Sequence, residues 1–449
     1  MLSYLKRLFI RNAASPTLIA LCSCAIFAFA WVFPPDLYSV YLGEVDWVFL
    51  NPLTLLYFGL CVGGFFCGVY FSRYIKGASF NSEPPQISSG SPFSYLTLPL
   101  IALTILCGIY LILLGVRVDF VALLASQQGS SLKMADENGT GLANRWQMVH
   151  VFLTAALGWA QYRALQLKLS NAKRTIFWII FSIGWLVDAA TSVALVDRTQ
   201  LMPLMASTVL IAIFFGTRGR KVRFLRVAAF ASLSMLAIVG TFLLLSFLRG
   251  SLLMGSLMRS LLGYTIVSYN RMAALLMGAM HYGYEGKGVY LMPLLSGSEG
   301  INKIIPFKDM FGWPTARELW HTEFASVAQS GLNASYIWSS IFGYLYSDIG
   351  WFTPFYMFFY GLFCCYFWIK FKNGKALGLV VYPWVAFGIM FWVGGNLLPY
   401  DRLLNYVEMG LLLTWYDSSW IRVRGDAQSI VIPETRPAFA DVSLPASSY

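Results

Sequence analysis

The chain has 449 residues, of which 58% are hydrophobic and 12% charged. A soluble domain carries roughly 45–50% apolar and about 25% charged residues, so this composition excludes an ordinary soluble enzyme and a disordered chain. The net charge is +11, from 32 Lys and Arg against 21 Asp and Glu, but the cations flank apolar runs, so the excess is an orientation signal and not a nucleic-acid footprint.

In chain order, the apolar runs predict ten membrane helices, at roughly 16–33, 47–71, 95–115, 147–162, 175–195, 201–216, 225–247, 353–369, 376–395 and 403–420. No cleavable leader is expected, because Lys6, Arg7 and Arg11 precede a run that continues to Phe33 without a small-residue cleavage site. The seven cysteines all fall inside apolar runs, which argues against a disulfide framework and against a zinc site.

Lys and Arg set the orientation. One group of connections carries dense clusters, such as Arg163, Lys168, Lys173 and Arg174, or Arg218, Arg220, Lys221, Arg223 and Arg226. The short connections on the other side carry Arg117, Lys133, Arg145, Arg198 and Arg402. Both termini are therefore expected in the cytoplasm. The expected organisation is a seven-helix membrane bundle over 1–247, a large outer loop over 248–351 and three membrane helices over 352–424. A polar, disordered cytoplasmic tail is expected over 425–449.

The outer loop is not a polar linker. Leu252, Leu253, Leu257, Leu261 and Tyr264 recur at helical spacing and predict a helix lying in the outer leaflet. A second helical stretch is expected from Arg271 to Met280. A third opens on Thr315-Ala316-Arg317-Glu318, a capping box, with Gly331 as its stop. A smaller outer loop, 116–146, has its own apolar start at 120–124. No internal repeat is visible, so the inverted-repeat transporter pattern finds no support.

No P-loop, G-x-S-x-G, H-E-x-x-H or D-x-D pair is present. The cytoplasmic connections are too short for a nucleotide-using domain, so any chemistry is expected at the outer surface, on a substrate already delivered there. That face carries Arg198, Arg249, Arg259, Arg271, Arg317 and Arg402, with Asp197, Glu318, Glu323, Asp348, Asp401 and Glu408 as potential partners. A guanidinium forks onto phosphate oxygens and keeps its proton, so several together would hold a pyrophosphate without a metal ion. Taken singly, each arginine also fits a snorkelling or salt-bridged structural role.

Of the three histidines, His150 is expected to pack between helices and His281 sits in a Tyr-Gly-rich turn. His321 lies four residues after Arg317 and shares its helix face. A neutral imidazole there would accept a proton from a sugar hydroxyl. A buried interface histidine is the competing assignment.

Three segments carry a resemblance. Asp197-Arg198-Thr199-Gln200 leads straight into Leu201-Met202-Pro203-Leu204. Asn270-Arg271 is followed by Gly286-Lys287-Gly288 and Pro293-Leu294. Asn333 runs on to Phe342-Gly343-Tyr344-Leu345-Tyr346-Ser347-Asp348-Ile349-Gly350, a segment closing back toward the membrane. With this layout of spans around one large outer loop, the chain resembles the Wzy-type oligosaccharide repeat-unit polymerases of O-antigen, lipopolysaccharide and exopolysaccharide biosynthesis, relatives of the O-antigen ligases.

The resemblance implies an all-α polytopic membrane glycosyltransferase of the GT-C-like type in the bacterial inner membrane. Its substrates would be undecaprenyl-pyrophosphate-linked oligosaccharides, as donor and as acceptor, and it would need no cofactor and no metal. An acceptor hydroxyl would attack the donor's anomeric carbon and lipid pyrophosphate would leave. Arg198 and Arg271 would stabilise that leaving group, with His321 as proton acceptor. Arg249, Arg259, Arg317 and Arg402 would hold phosphates, and Glu323 and Asp348 would serve glycan or proton. A flippase and a chain-length-regulating co-polymerase are implied partners. A ligase with the same centre, and a lipid or glycan transporter, are the competing functions.

Overall fold

The computed structural model describes residues 14–44, 49–75, 96–115, 142–166, 170–194, 198–216, 240, 259, 262–400 and 402–429. Among these residues the regular structure is helical throughout. Four helical stretches are long and apolar enough to cross a membrane: Pro52–Ser72, Asn171–Ser192, Ser340–Lys372 and Ala376–Val393. Pro16–Val32 and Pro35–Leu42 make a fifth if their bent pair counts as one crossing, and Leu98–Leu114 and Leu201–Phe215 are shorter apolar helices. Exposed Leu21, Phe29, Leu106, Leu186, Phe355 and Trp415 give the bundle an apolar outer surface. The chain is a helical membrane protein.

The first helices show how the sequence steers the chain. Helix α1 (Pro16–Val32) is capped by Ser15, whose hydroxyl accepts from the Leu18 N–H. Pro34 and Pro35 lack N–H donors, so the helix cannot continue. It restarts as α2 (Pro35–Leu42) bent by 97°, and Gly43, at φ +70°, ends that turn in the left-handed region. The result is to point Glu44 back into the bundle. Helix α3 (Pro52–Ile75) follows, then α4 (Leu98–Gly115), α5 (Leu142–Gln166), α6 (Asn171–Ala194) and α7 (Arg198–Gly216).

Beyond the described gap come α8 (Ile266–Leu276), three short helices α9 (Pro293–Gly297), α10 (Glu299–Ile304) and α11 (Phe307–Phe311), then α12 (Ala316–Gln329) and α13 (Ser340–Ile349). The last three are α14 (Thr353–Lys372), α15 (Ala376–Met390) and α16 (Arg402–Ser429). Each run expected to be apolar helix is helical, except 225–247, which falls almost wholly outside the described residues.

Helix α15 is the axis. Every residue from Ala376 to Ile389 is buried, and α1, α5, α7, α14 and α16 pack around it. The closest pairing is α3 with α14. Gly64 and Gly68 lie one turn apart on α3, and a Cβ on either would strike the carbonyl oxygens of Pro354 and Phe358; Gly361 faces Phe65 from the other side. Without a hydrophobic drive between helices in lipid, small residues that let backbones touch supply the packing.

Two expectations change. The second helical stretch of the outer segment, expected from Arg271 to Met280, is α8, all of whose residues are buried among α1, α3 and α13. It starts earlier than expected, at Ile266, and stops before Gly278, whose φ of +66° ends the turn. The tail was expected to be disordered from 425, yet α16 continues as helix to Ser429. The capping box forms as expected: Thr315 accepts from the Glu318 N–H and Glu318 accepts from the Thr315 N–H. The leaflet helix expected near 252–264 and the loop start at 120–124 lie largely or wholly outside the described residues.

Candidate functional site

Arg271 sits in the middle of α8 with no exposed surface, and its partner is Glu44, 227 residues away. The guanidinium forks onto the carboxylate, Nη1 to Oε2 at 3.0 Å and Nη2 to Oε1. It also donates to the carbonyls of Asn333 and Tyr336, both at 3.3 Å. Glu44 accepts further from the Tyr38 hydroxyl at 2.6 Å and the Asn333 N–H at 2.7 Å. Asn270 donates to Tyr38 and accepts from the Phe49 N–H. A buried pair repays its desolvation only with such complete bonding. Arg271 was expected to grip a leaving pyrophosphate. Its donors are instead committed to protein acceptors, and it clamps the α1–α2 corner to α8 and the 333–336 turn.

The carboxylates of the outer segment are also committed. Asp348 accepts from the N–H groups of Gly288, Tyr290 and Leu291, at 3.1, 2.6 and 2.7 Å. It pins the 286–291 loop to the end of α13. Glu323 lies on the buried face of α12 against Tyr290 and Tyr344, whose hydroxyls bond to it. Burial pushes its carboxyl up to about 8, and the tyrosine bonds offset part of that rise. Tyr282 stacks on Tyr344 with ring centres 5.4 Å apart, which closes this core. Glu323 is thus a buried acid rather than an open substrate contact.

His321 is exposed, on a different side of α12 from Glu323. His281 is likewise exposed, with Nδ1 2.9 Å from Glu285. Arg259 is exposed and donates to the Tyr41 carbonyl at 2.9 Å. Arg249 and the side chains of Arg198 and Arg317 lie outside the described residues. Among the described residues no three His, Cys, Asp or Glu side chains gather closely enough to hold a metal ion.

A second polar centre lies deeper in the bundle. His150 of α5 and Asp188 of α6 are fully buried, with Nδ1 and Oδ1 3.5 Å apart. Gly108 of α4 makes room for them: a Cβ there would press on His150, Val187 and Thr191. Tyr406 of α16 lies within electrostatic reach of both Asp188 and Arg402, and Arg402 opens α16 half-buried. An ionisable pair buried inside a helical bundle of this apolar character is costly, which makes it a candidate functional position. The sequence offered one signal for it, Asp188 inside an otherwise uncharged run. His150 was expected to be a packing histidine.

Helix register ties this centre to Arg198. Asn405 meets Met148 and Asp417 pairs with Arg163, so α16 runs parallel to α5. Gly158 faces Ser207, Gln161 donates to the Thr208 carbonyl, and Tyr162 meets Phe215, so α7 runs parallel to α5 as well. At about 1.5 Å of rise per residue, the backbone of Arg198 stands near the level of His150, and Arg402 about a turn beyond. Three helices therefore begin at one end, each with the positive pole of its dipole there. The outer segment packs at that same end, where Asn396, between α15 and α16, donates to the Tyr290 carbonyl.

No protein-family model, no curated protein and no solved structure matches the chain.

Proposed function

We propose that this protein is a membrane glycosyltransferase that joins undecaprenyl-pyrophosphate-linked oligosaccharide repeat units into a surface polysaccharide. On this reading the fold is of the GT-C-like type with ten crossings. The bundle sits in the bacterial inner membrane with both termini cytoplasmic. The end where α5, α7 and α16 begin faces the periplasm.

One observation carries the proposal. Arg198 and Arg402 open helices that run parallel to the same neighbour, Arg198 near the level of the His150–Asp188 pair and Arg402 about a turn beyond, at the end where the outer segment packs. Helix N-termini and guanidinium groups both favour a diphosphate dianion. The acceptor hydroxyl attacks the anomeric carbon and gives its proton to a general base, for which the exposed His321 is the candidate; the glycosidic bond to phosphate breaks, and the lipid pyrophosphate leaves with the bonding electrons. Fixed positive charge at that end stabilises the developing charge. Arg271 takes no part in this step, since Glu44 neutralises it.

The test uses purified protein with defined lipid-linked repeat units and sizing of the products. Arg198→Ala and Arg402→Ala are each expected to lower chain elongation by about 100-fold, on the scale of losing one oxyanion donor. The corresponding Lys variants are expected to recover only part of it, because an ammonium cannot fork. Wild-type ladders from both Ala variants overturn the proposal. A ligase using the same centre would leave repeat units unjoined and move finished glycan to another acceptor.

A transporter is the second reading, and one observation favours it: the buried His150–Asp188 pair is the kind of group that couples ion binding to helix movement. Vesicles separate the two. Lipid-linked glycan crossing the bilayer without chain growth supports transport.

A further inference from the structure

The short helices α9 to α11 make a projection that the activity proposed above does not use. Its base is firmly held. The Leu291 N–H donates to Asp348, Ser296 donates to the Val289 carbonyl, and the Trp313 indole donates to the Lys287 carbonyl. Its interior is tied by Asn302, whose amide donates to the carbonyls of Leu295 and Ser298 and accepts from the Lys308 N–H. These bonds fix the shape of the projection, but they do not bury its tip.

The tip is apolar and open. Ile304 is 83% exposed and Met310 65%, with Ile305 and Phe311 beside them. No residue of α11 is buried. Phe311 stacks between Phe307 and Trp313, which builds a short aromatic column below the tip. Four large apolar side chains left exposed within eight residues of an ordered segment mark a surface for an apolar partner.

Position says what covers them. The projection leaves the protein at Leu291, bound to Asp348, and Asp348 stands three residues before Trp351, in the turn that leads into α14. Trp351 and Phe352 in that turn, and Phe355 and Phe359 on the first turns of α14, are all exposed. The base of the projection is thus tied to the chain just ahead of that exposed aromatic run. Aromatic residues belong at that level, and amphipathic segments bury their apolar face there by a few ångströms.

We infer that the tip formed by Ile304, Ile305, Met310 and Phe311 inserts into the bilayer leaflet at the end of the bundle where α14 and α16 begin, and holds the outer segment against the membrane surface. The occupant is the phospholipid bilayer itself. The inference stands on the membrane character of the chain and is independent of the proposed transferase activity.

Spin labels on Ile304→Cys and Met310→Cys test it, in full-length protein with Cys22, Cys24 and Cys67 replaced by Ala and reconstituted in phospholipid vesicles. Both positions are surface sites, so the fold tolerates the label, and a label at Phe355→Cys gives the lipid reference. At 304 and 310 the collision rate with oxygen is expected to exceed that with a water-soluble nickel chelate, approaching the ratio at 355. A nickel rate exceeding the oxygen rate at both positions places the tip in water and overturns the inference. Low collision rates with both reagents mean that protein covers the tip, and overturn it equally.

Discussion

Around Arg271, acceptors arrive from two separate stretches of chain: Glu44 after the bent corner, itself bonded by the Tyr38 hydroxyl, and the Asn333 and Tyr336 carbonyls of one turn. Around Arg402, the helix that it opens runs parallel to α5, with His150 about a turn further along and Asp188 beside it on α6. The first arrangement has turned a buried charge into a closed joint. The second keeps its charges at the mouth of a bundle where helix dipoles point the same way. The difference teaches that a buried arginine in a membrane protein is identified by what its donors face and not by its depth. A guanidinium saturated by a carboxylate holds the fold, whereas the proposed function asks cations at one helix end to hold an anion.

The comparison breaks first at Glu44. Glu44→Gln leaves the Arg271 charge buried without its counter-ion, and a loss of about 3–5 kcal/mol is expected in thermal or denaturant unfolding of the purified protein. The paired variant Glu44→Gln with Arg271→Met removes the stranded charge and is expected to recover most of that loss. If the single and paired variants unfold alike, the closed-joint account of Arg271 is wrong.

The next effect sharpens the contrast between buried acids. Glu323 has its folded-state pKa pushed up to about 8, while a free carboxyl titrates near 4.5. Below pH 4.5 the folded and unfolded chains both hold the proton. As pH rises from there to about 8, the unfolded chain releases it and the folded chain does not, so stability falls through this window and then levels. Glu323→Gln removes the group that titrates. It is expected to match wild type near pH 4 and to exceed it by on the order of a few kcal/mol at pH 9. Melting curves across this range check it, and a wild-type curve that stays flat from pH 5 to 9 refutes the buried acid.

Gly108 probes the second centre through packing alone. A methyl group there would press on His150 and Thr191, so Gly108→Ala is expected to cost about 1–3 kcal/mol of stability. It is also expected to lower transfer activity beyond the fraction of protein lost, because His150 and Asp188 shift relative to Arg402. Activity per folded molecule, measured below the unfolding transition, separates the two effects.

Much of the fold was legible because lipid imposes long apolar runs, and those runs appear as helices where they are described. The Thr315–Glu318 box was legible for a local reason: three residues of spacing carry the whole mechanism. The joint at Arg271 was not legible. Glu44 lies in a short stretch between a bent helix and a span, and nothing local links it to a residue 227 positions on. The burial of α8 was hidden because an apolar helix in an outer segment has the same pattern whether it lies on lipid or inserts between helices. Asp188 announced itself as a charge in an apolar run. Its neighbour His150 did not, since a lone histidine in a helix looks the same with or without a carboxylate on the next one.

The smallest effect concerns how Glu44 reaches its place. Gly43 adopts φ +70° at the end of α2, and no atom lies where its Cβ would go. Space is therefore not what requires glycine there; backbone conformation is. An L side chain in that region costs about 1 kcal/mol through contact of its own Cβ with the backbone. Gly43→Ala should lose about that much, and Gly43→Asn should lose less, because asparagine tolerates the left-handed region. A Gly43→Ala loss comparable to that of Glu44→Gln would show that the corner had moved and taken the carboxylate with it. A loss near 1 kcal/mol, partly restored by asparagine, shows that the joint with Arg271 is strong enough to hold the corner in a strained turn.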